Sequence, residues 1–267
     1  MYNKQRIIVN GALGKMGRTT CQAIVKEFSL ELVGVVDVAA NDETLFDIVS
    51  NAHKDLPLYS DLSSCLQAVE ADTMVDFTNP TSVFKNAGLA LDAKLNCLIG
   101  TTGLTNSEME ELKKKALAQE RSIAVVPNFA LGAVLMMKFA AEAASFFPNM
   151  EIIELHHDQK MDAPSGTALK TAESIAKART VPPSKLLQEF EKIPGARGGV
   201  SQEVHIHSVR LPGLIAHQEV IAGGQGETLT IRHDSYDRIS FMPGVMLALR
   251  HLREQTGLLF GLDKFLQ

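Results

Sequence analysis

Residues 6–17 read RIIVNGALGKMG, an apolar run followed by three glycines at the spacing G-x-x-G-x-x-G. Residues 6–9 predict a β-strand, and residues 16–28 predict a helix. Glycine permits a tight turn and close backbone approach to a pyrophosphate, while a helix N-terminus supplies free N–H groups. The stretch therefore predicts a dinucleotide-binding turn, although a tight turn without a ligand would use the same glycines. The expected contacts are Gly11, Ala12, Leu13, Gly14, Lys15, Met16 and Gly17.

An acidic residue follows at the position where such a turn needs one. Asp37 ends a second predicted strand, residues 32–36, and lies 20 residues after Gly17. Its carboxylate is expected to accept hydrogen bonds from ribose hydroxyls, although a strand-end acid can also simply be solvated. The next residue, Val38, carries no positive charge, so a 2′-phosphate would need a cation from Lys15 or Arg18. Asp37 followed by the uncharged Val38 therefore predicts that NADH is used at least as well as NADPH.

Short apolar runs and helical segments alternate through the first half of the chain. The further strands are predicted at 74–77, 97–99 and 123–126, and the helices between them at 61–71, 80–93 and 107–119. This alternation is typical of βαβ units around a parallel sheet. The predicted fold class is α/β, with an N-terminal Rossmann-like, doubly wound domain over residues 1–128.

Three loops follow predicted parallel strands, at the edge where ligands of this fold bind. Their small, hydroxyl or aromatic residues predict contacts with ribose and nicotinamide, although either of the first two loops alone could be a plain turn. The candidates are Phe77 and Thr78, then Gly100, Thr101 and Thr102, and finally Asn128 and Phe129.

The pattern changes after residue 128. A helix is predicted at 130–147, strands at 151–157, 203–209, 217–222 and 228–232, and a last helix at 243–254. Strands without intervening helices indicate an antiparallel or mixed sheet, joined here by Leu211-Pro212-Gly213 and residues 223–226. We therefore predict a second, α+β domain over residues 129–239 that binds substrate, with residues 240–267 packing back on the first.

The most unusual stretch, residues 154–168, reads ELHHDQKMDAPSGTA. Ser165, Gly166 and Thr167 stand at a predicted helix start, which offers hydroxyl and N–H groups to a carboxylate. Lys160 adds a cation, and His156 or His157 can move a proton near neutral pH. An ordinary capped helix after a charged loop remains the alternative explanation.

Composition excludes several other functions. A net charge of −5 without a basic cluster argues against a nucleic-acid partner. The N-terminus lacks the features of a secretory signal, and the apolar run 129–137 is too short to cross a bilayer, so we expect a cytoplasmic protein without membrane contact.

The remaining histidines and cysteines do not form a metal motif. The cysteines, Cys21, Cys65 and Cys97, are far apart, and Cys97 lies inside an apolar strand, which predicts a core position. His205 and His207 alternate along a predicted strand, where a polar sheet face is favoured over a metal pair. We predict no metal.

Taken together, these motifs resemble the 4-hydroxy-tetrahydrodipicolinate reductase (dihydrodipicolinate reductase) family over nearly the whole chain. The resemblance implies reduction of a cyclic dicarboxylate with a C=N bond by NADH or NADPH, with loss of water, in diaminopimelate and lysine biosynthesis. It implies that His156 is the acid–base residue and Lys160 the proton donor, and that His157 and Gly166-Thr167 hold a substrate carboxylate. It also implies homotetramers formed through the sheet of the second domain. The matching segments are the glycine turn with Arg18, residues 75–78, residues 100–103, residues 128–129 and the stretch from Glu154 to Ala168.

One position departs from the family. Many members carry a basic residue where this chain has Val38, so a strong preference for NADPH is not expected. Two other functions stay open at this point: another two-domain dehydrogenase acting on a sugar or aldehyde, and a non-catalytic dinucleotide sensor. The segment 180–199 is either a lid or a subunit contact.

Overall fold

A computed structural model describes residues 4–41, 44–49, 52, 55–184 and 190–266 of the chain. The backbone divides into two compact units, one spanning Met1–Phe129 and Phe241–Gln267, the other Ala130–Ser240. Among the described residues, no helix is both long and apolar enough to cross a lipid bilayer.

The described residues form twelve strands and eight α-helices. The strands are β1 (Gln5–Asn10), β2 (Leu30–Val36), β3 (Leu58–Tyr59), β4 (Thr73–Asp76), β5 (Asn96–Ile99), β6 (Ser122–Val125), β7 (Asn149–His156), β8 (Gly199–Ser201), β9 (Val204–Arg210), β10 (Ala216–Gly224), β11 (Glu227–Ser235) and β12 (Gly257–Phe260). The helices are α1 (Lys15–Lys26), α2 (Leu45–Ile48), α3 (Leu62–Ala68), α4 (Val83–Asp92), α5 (Asn106–Ala118), α6 (Leu131–Ala144), α7 (Gly166–Ala178) and α8 (Met242–Leu252), with short 3₁₀ turns at Arg238–Phe241 and Leu262–Phe265.

The first unit contains a seven-stranded sheet in the order β12-β6-β5-β4-β1-β2-β3, and every strand pair in it is parallel. β1 lies between β2 and β4, so the direction of strand progression reverses there. In open parallel sheets, ligands bind at the carboxyl ends of the strands beside this reversal. The predicted Rossmann-like sheet is confirmed, and the glycine turn stands at its reversal point.

Both faces of this sheet are covered. Consecutive side chains Ile7, Ile8 and Val9 of β1 are all fully buried, as are Met74 and Val75 of β4. A strand buried on both faces is a continuous apolar run, because no side of it meets water. The carboxyl ends of these strands are therefore held by a rigid core.

The second unit contains a five-stranded mixed sheet in the order β11-β10-β7-β9-β8. β7 and β9 pair in parallel and the other pairs are antiparallel. Helices α6 and α7 pack on it, and β7 alternates accordingly, with Met150, Ile152 and Glu154 buried and the residues between them partly exposed. A glutamate thus stands in the inward row of β7, whose other buried members, Met150 and Ile152, are apolar.

The structure differs from the sequence prediction in three respects. β12, which pairs with β6 at the sheet edge, and the short elements α2, β3 and β8 were not predicted. The segment Leu211-Pro212-Gly213 does not connect neighbouring strands, because β7 lies between β9 and β10. Gly223 and Gly224 belong to β10, which leaves Gln225-Gly226 as the turn. The other predicted elements recur with ends shifted by a few residues.

Candidate active site

The glycine turn between β1 and α1 has no room for side chains at two positions. Gly11 has a φ of 83°, and a Cβ there would lie 2.5 Å from the carbonyl oxygen of Phe77. A Cβ at Gly17 would lie 2.0 Å from the carbonyl oxygen of Gly11. The amides of Gly11 and Ala12 both donate to the Val36 carbonyl, at 2.8 and 3.0 Å, which closes the turn against β2. Backbone packing therefore requires glycine here.

Helix α1 begins without a side-chain cap. Its N-cap residue is Gly14, which is exposed, and its first turn contains no acidic residue. Uncapped N–H groups and the positive end of the helix dipole suit a phosphate. The turn fits a dinucleotide pyrophosphate, with Lys15 exposed beside it and Leu13 and Met16 partly exposed.

Asp37 lies against the glycine turn. Its Oδ2 accepts from the Leu13 amide at 2.9 Å, and its Oδ1 accepts from the Ala39 amide at 3.0 Å. Each carboxylate oxygen has a second lone pair for a ribose hydroxyl. The acid thus has a structural role of its own, because it ties the turn to the end of β2. Val38 is 88% exposed beside it.

A buried carboxylate joins the loops that follow the central strands. Asp76, at the end of β4, is fully buried and accepts from Asn10 at 3.2 Å, Asn86 at 3.0 Å and the Thr101 hydroxyl at 2.8 Å. It also accepts from the amide and the hydroxyl of Thr78, at 3.1 and 2.7 Å. Asp76 therefore holds two of the predicted cofactor loops, through Thr78 and Thr101, against β1 and α4.

Two aromatic residues from these loops pack edge to face. The rings of Phe77 and Phe129 have centroids 5.8 Å apart at 63°. A Cβ at Gly100 would lie 2.2 Å from the Phe77 ring, so glycine is needed there as well. Phe129 is buried, whereas Thr102 is exposed and Asn128 partly exposed. Every predicted cofactor residue lies in the first unit.

In the second unit, a buried ion pair lies near the end of β7. The carboxylate of Glu154 is fully buried and forms a short hydrogen bond with Nδ1 of His156. Both Nη atoms of the Arg210 guanidinium donate to it, Nη1 at 3.0 Å and Nη2 at 2.8 Å. Burial by itself raises the pKa of Glu154, but hydrogen bonds from His156 and Arg210 outweigh it and lower the pKa to about 2. Glu154 is therefore an ionised acceptor at neutral pH.

Lys160 lies in the segment between β7 and α7. Its amide donates to the His157 carbonyl at 3.2 Å, and its ammonium contacts Oδ1 of Asp162 at 2.6 Å. The hydrogen bond from Lys160 lowers the pKa of Asp162. His157 is exposed. The segment thus presents an ammonium group and an imidazole at the surface of the second unit.

Helix α7 begins as the sequence predicts. Ser165 is its N-cap, and its Oγ accepts from the Ala168 amide at 3.2 Å. Gly166 is exposed, and a Cβ there would contact nothing within 4 Å, so open space adjoins the first turn. Thr171 is buried and donates to the Thr167 carbonyl at 2.8 Å, which stiffens that turn. An exposed, ordered helix start of this kind suits a carboxylate.

The histidines of β9 lie elsewhere in the second unit. Nδ1 of His205 bonds the Arg197 carbonyl at 2.8 Å, and Nε2 of His207 bonds Glu151 at 2.8 Å. No group of three or more metal-ligating side chains occurs among the described residues. Cys97 is fully buried, as predicted, and burial raises the pKa of its thiol.

Three residues at these sites were not assigned a role from the sequence: Asp76, Glu154 and Arg210. The first two belong to the quoted motifs, and each is an acid that follows buried apolar residues of its strand, which is a signal of its own. Arg210 lies 56 positions after Glu154, which it contacts, and no sequence pattern connects the two residues. Part of the segment 180–199, residues 185–189, lies outside the described residues.

A Rossmann-like unit with an uncapped glycine turn, combined with a second unit that carries a histidine–lysine segment, defines a two-domain NAD(P)H-dependent oxidoreductase. Family profiles described as the N-terminus and the C-terminus of dihydrodipicolinate reductase match residues 5–129 and 132–266. The chain therefore belongs to the dihydrodipicolinate reductase family.

Individual relatives match this chain over nearly their full length. The 4-hydroxy-tetrahydrodipicolinate reductase of Syntrophomonas wolfei is 54% identical and that of Listeria innocua 48%, with at least 98% of each chain covered. A dipicolinate-bound dihydrodipicolinate reductase from Paenisporosarcina superposes with a TM-score of 0.88 at 41% identity, covering 98% of this chain and 99% of that one. An amine dehydrogenase from Mycobacterium smegmatis, at 11% identity and a TM-score of 0.67, shares the fold alone.

Proposed function

We propose that this protein reduces 4-hydroxy-tetrahydrodipicolinate to tetrahydrodipicolinate with NADH or NADPH, in diaminopimelate and lysine biosynthesis. The observation that carries the proposal is the segment from His156 to Thr167, where an imidazole, an ammonium group and an exposed helix start lie within one short stretch of the second unit. A sugar or aldehyde dehydrogenase or a dinucleotide sensor leaves this stretch unexplained.

The net reaction replaces a C–OH bond of the ring by a C–H bond. The hydroxyl leaves as water, and a hydride and a proton enter. NADH or NADPH, when bound, supplies the hydride. Addition of hydride to the conjugated ring carbon moves electron density toward the ring nitrogen, and a positioned donor stabilises that charge. Lys160 is the proposed proton donor, and His156 the proposed acid–base residue.

The carboxylates of the substrate need noncovalent partners that hold them in place. We assign one carboxylate to the first turn of α7, at Gly166 and Thr167, with the hydroxyl of Ser165 engaged as the cap and His157 alongside. Gly166 is exposed and has open space around its Cα, which supports this assignment. A helix N-terminus favours an anion through its N–H groups and dipole.

We assign the dinucleotide to the first unit. The residues proposed to hold it are those of the glycine turn, Asp37, Phe77, Thr78, Gly100 to Thr102, Asn128 and Phe129. The two glycines that exclude any Cβ and the uncapped start of α1 support a pyrophosphate there. We further propose a homotetramer in the cytoplasm, assembled through the second unit's sheet. Its β7 and β10 present partly exposed Ile153, Leu155 and Ile221 on the face opposite the buried row.

The experiment that tests the proposed reaction is a spectrophotometric assay. Purified protein is mixed with NADH and freshly generated 4-hydroxy-tetrahydrodipicolinate, and loss of the NADH absorbance is followed. We expect saturable turnover by the wild type, and absence of turnover with both NADH and NADPH would refute the proposal. Turnover of a sugar or aldehyde substrate instead would favour the competing dehydrogenase function.

We predict that NADH is used at least as well as NADPH, and that Val38→Arg raises kcat/KM for NADPH by about tenfold. Val38 is almost fully exposed next to Asp37, so an arginine there would reach solvent and supply the cation that a 2′-phosphate needs. Kinetics with both cofactors measure the ratio, and Val38→Met is the uncharged control. A wild type that favours NADPH by about tenfold or more would contradict this.

A further inference from the structure

Four donor atoms of His156, Arg210 and Ser165 converge on the carboxylate of Glu154, which is fully buried. They are Nδ1 of His156, Nη1 and Nη2 of Arg210, and the Ser165 amide at 3.3 Å. These groups come from the end of β7, the end of β9 and the start of α7. The proposed acid–base residue and the proposed carboxylate-binding helix start therefore share one anchor.

We propose that Glu154 is a positioning residue, which holds His156 in the tautomer protonated on Nδ1 and fixes the start of α7. The inference rests on the proposed function for its catalytic meaning. An ionised carboxylate can only accept a hydrogen bond, so Nδ1 of His156 must carry the proton. Nε2 is then the nitrogen that faces away from Glu154 and remains for acid–base work on a substrate.

Arg210 offsets the cost of burying the ionised carboxylate of Glu154. A lone buried carboxylate is costly, and a bidentate guanidinium offsets that cost with two charge-assisted hydrogen bonds. Nη2 of Arg210 also donates to the Asp162 carbonyl at 2.7 Å. Since Asp162 contacts the ammonium of Lys160, the same ion pair anchors the segment that carries the proposed proton donor.

A second set of hydrogen bonds also holds the start of α7. Gln218 on β10 lies beside Glu154 in the sheet register, and its Nε2 donates to the Thr171 hydroxyl at 2.8 Å. Thr171 in turn donates to the carbonyl of Thr167. Buried hydrogen bonds thus reach the first turn of α7 from its cap, through Glu154, and from one turn further on, through Thr171.

The chain contains a matched control on the same strand. Glu151 bonds Nε2 of His207 at 2.8 Å and Nη2 of Arg197 at 3.3 Å, so it too joins a histidine and an arginine. It touches none of the residues proposed to bind substrate. Glu151→Gln therefore removes the same kind of charge without disturbing His156.

The test compares Glu154→Gln, Glu151→Gln and the wild type. Nitrogen NMR of labelled histidines, with His156 assigned by His156→Asn, reports which ring nitrogen carries the proton. We expect His156 to be protonated on Nδ1 in the wild type and in Glu151→Gln, and to change its protonation pattern in Glu154→Gln. We expect kcat to fall by roughly 10²-fold in Glu154→Gln alone, with KM for NADH within about threefold.

Several outcomes would overturn the inference. They are a wild-type His156 protonated on Nε2 alone, an unchanged pattern in Glu154→Gln, or an equal loss of kcat in both glutamine variants. The wild-type spectrum decides the first point even if Glu154→Gln does not fold. Because the NMR arm needs no turnover, failure of the proposed reaction is distinguishable from failure of the positioning role.

Discussion

Lys160→Met will lower kcat for the proposed reduction by about 10³-fold while leaving NADH binding unchanged. Methionine keeps the length of the side chain but removes the only group of Lys160 that donates a proton. Charge developing on the ring nitrogen would then be left to water, which is a weaker and unpositioned acid. The ammonium of Lys160 contacts the exposed Asp162 at 2.6 Å, so the substitution removes a proton donor and not a core contact. Steady-state kinetics and calorimetric titration with NADH measure the two quantities.

Lys177→Met is the matched control for this prediction. Lys177 is an exposed lysine on α7 whose ammonium pairs with Glu173, also at 2.6 Å. A surface ion pair of this kind contributes little to stability, so kcat and the melting temperature should both stay at the wild-type level. If Lys160→Met retained more than about one tenth of kcat, general acid catalysis by this residue would be excluded.

Gly17→Ala will abolish measurable NADH binding and lower the free energy of unfolding by about 3 kcal/mol. The new Cβ would lie 2.0 Å from the Gly11 carbonyl oxygen and 2.8 Å from the Ala12 Cα. Both neighbours are backbone atoms of a turn that is hydrogen-bonded to β2, so neither can move without shifting the start of α1. Since that start is the proposed pyrophosphate site, binding and stability fall together. Calorimetric titration and urea denaturation measure them.

Gly88→Ala provides the comparison on a helix of the same unit. Gly88 lies inside α4, and its Cβ would meet only the flexible end of Lys115, at 3.7 Å. Alanine in a helix interior is favoured over glycine by about 0.5–1 kcal/mol, so this variant should be slightly more stable and bind NADH normally. Wild-type affinity for NADH in Gly17→Ala would show that the dinucleotide does not use this turn.

Much of the fold could be predicted because its signals are local. The strand β1, the glycine turn and α1 follow one another within about twenty residues, and each is indicated by its own residues. β12 could not be predicted in this way, since Gly257–Phe260 is a four-residue run with no periodic signal. It is a strand because the open edge of β6 offers its backbone hydrogen-bond partners.

The candidate site likewise contains residues that the sequence could indicate and one that it could not. His156, Lys160 and Ser165 stand close together in the sequence, so their types and spacing could indicate proton transfer and carboxylate binding. Arg210 could not be connected with them, because it reaches Glu154 only through the parallel pairing of β7 with β9. Likewise, only the structure shows that Lys15 is exposed beside the glycine turn and that Val38 is exposed beside Asp37.

The sequence alone determined the class of fold, the glycine turn and the chemical character of the stretch from Glu154 to Thr167, because local periodicity, turn chemistry and residue type carry that information. Only the tertiary structure decided that Asp76 joins the loops after β4 and β5, and that Glu154 takes Arg210 as its partner. A buried carboxylate needs donors from whichever elements surround it. Those donors come from strands and helices that the chain brings together only when the sheets form.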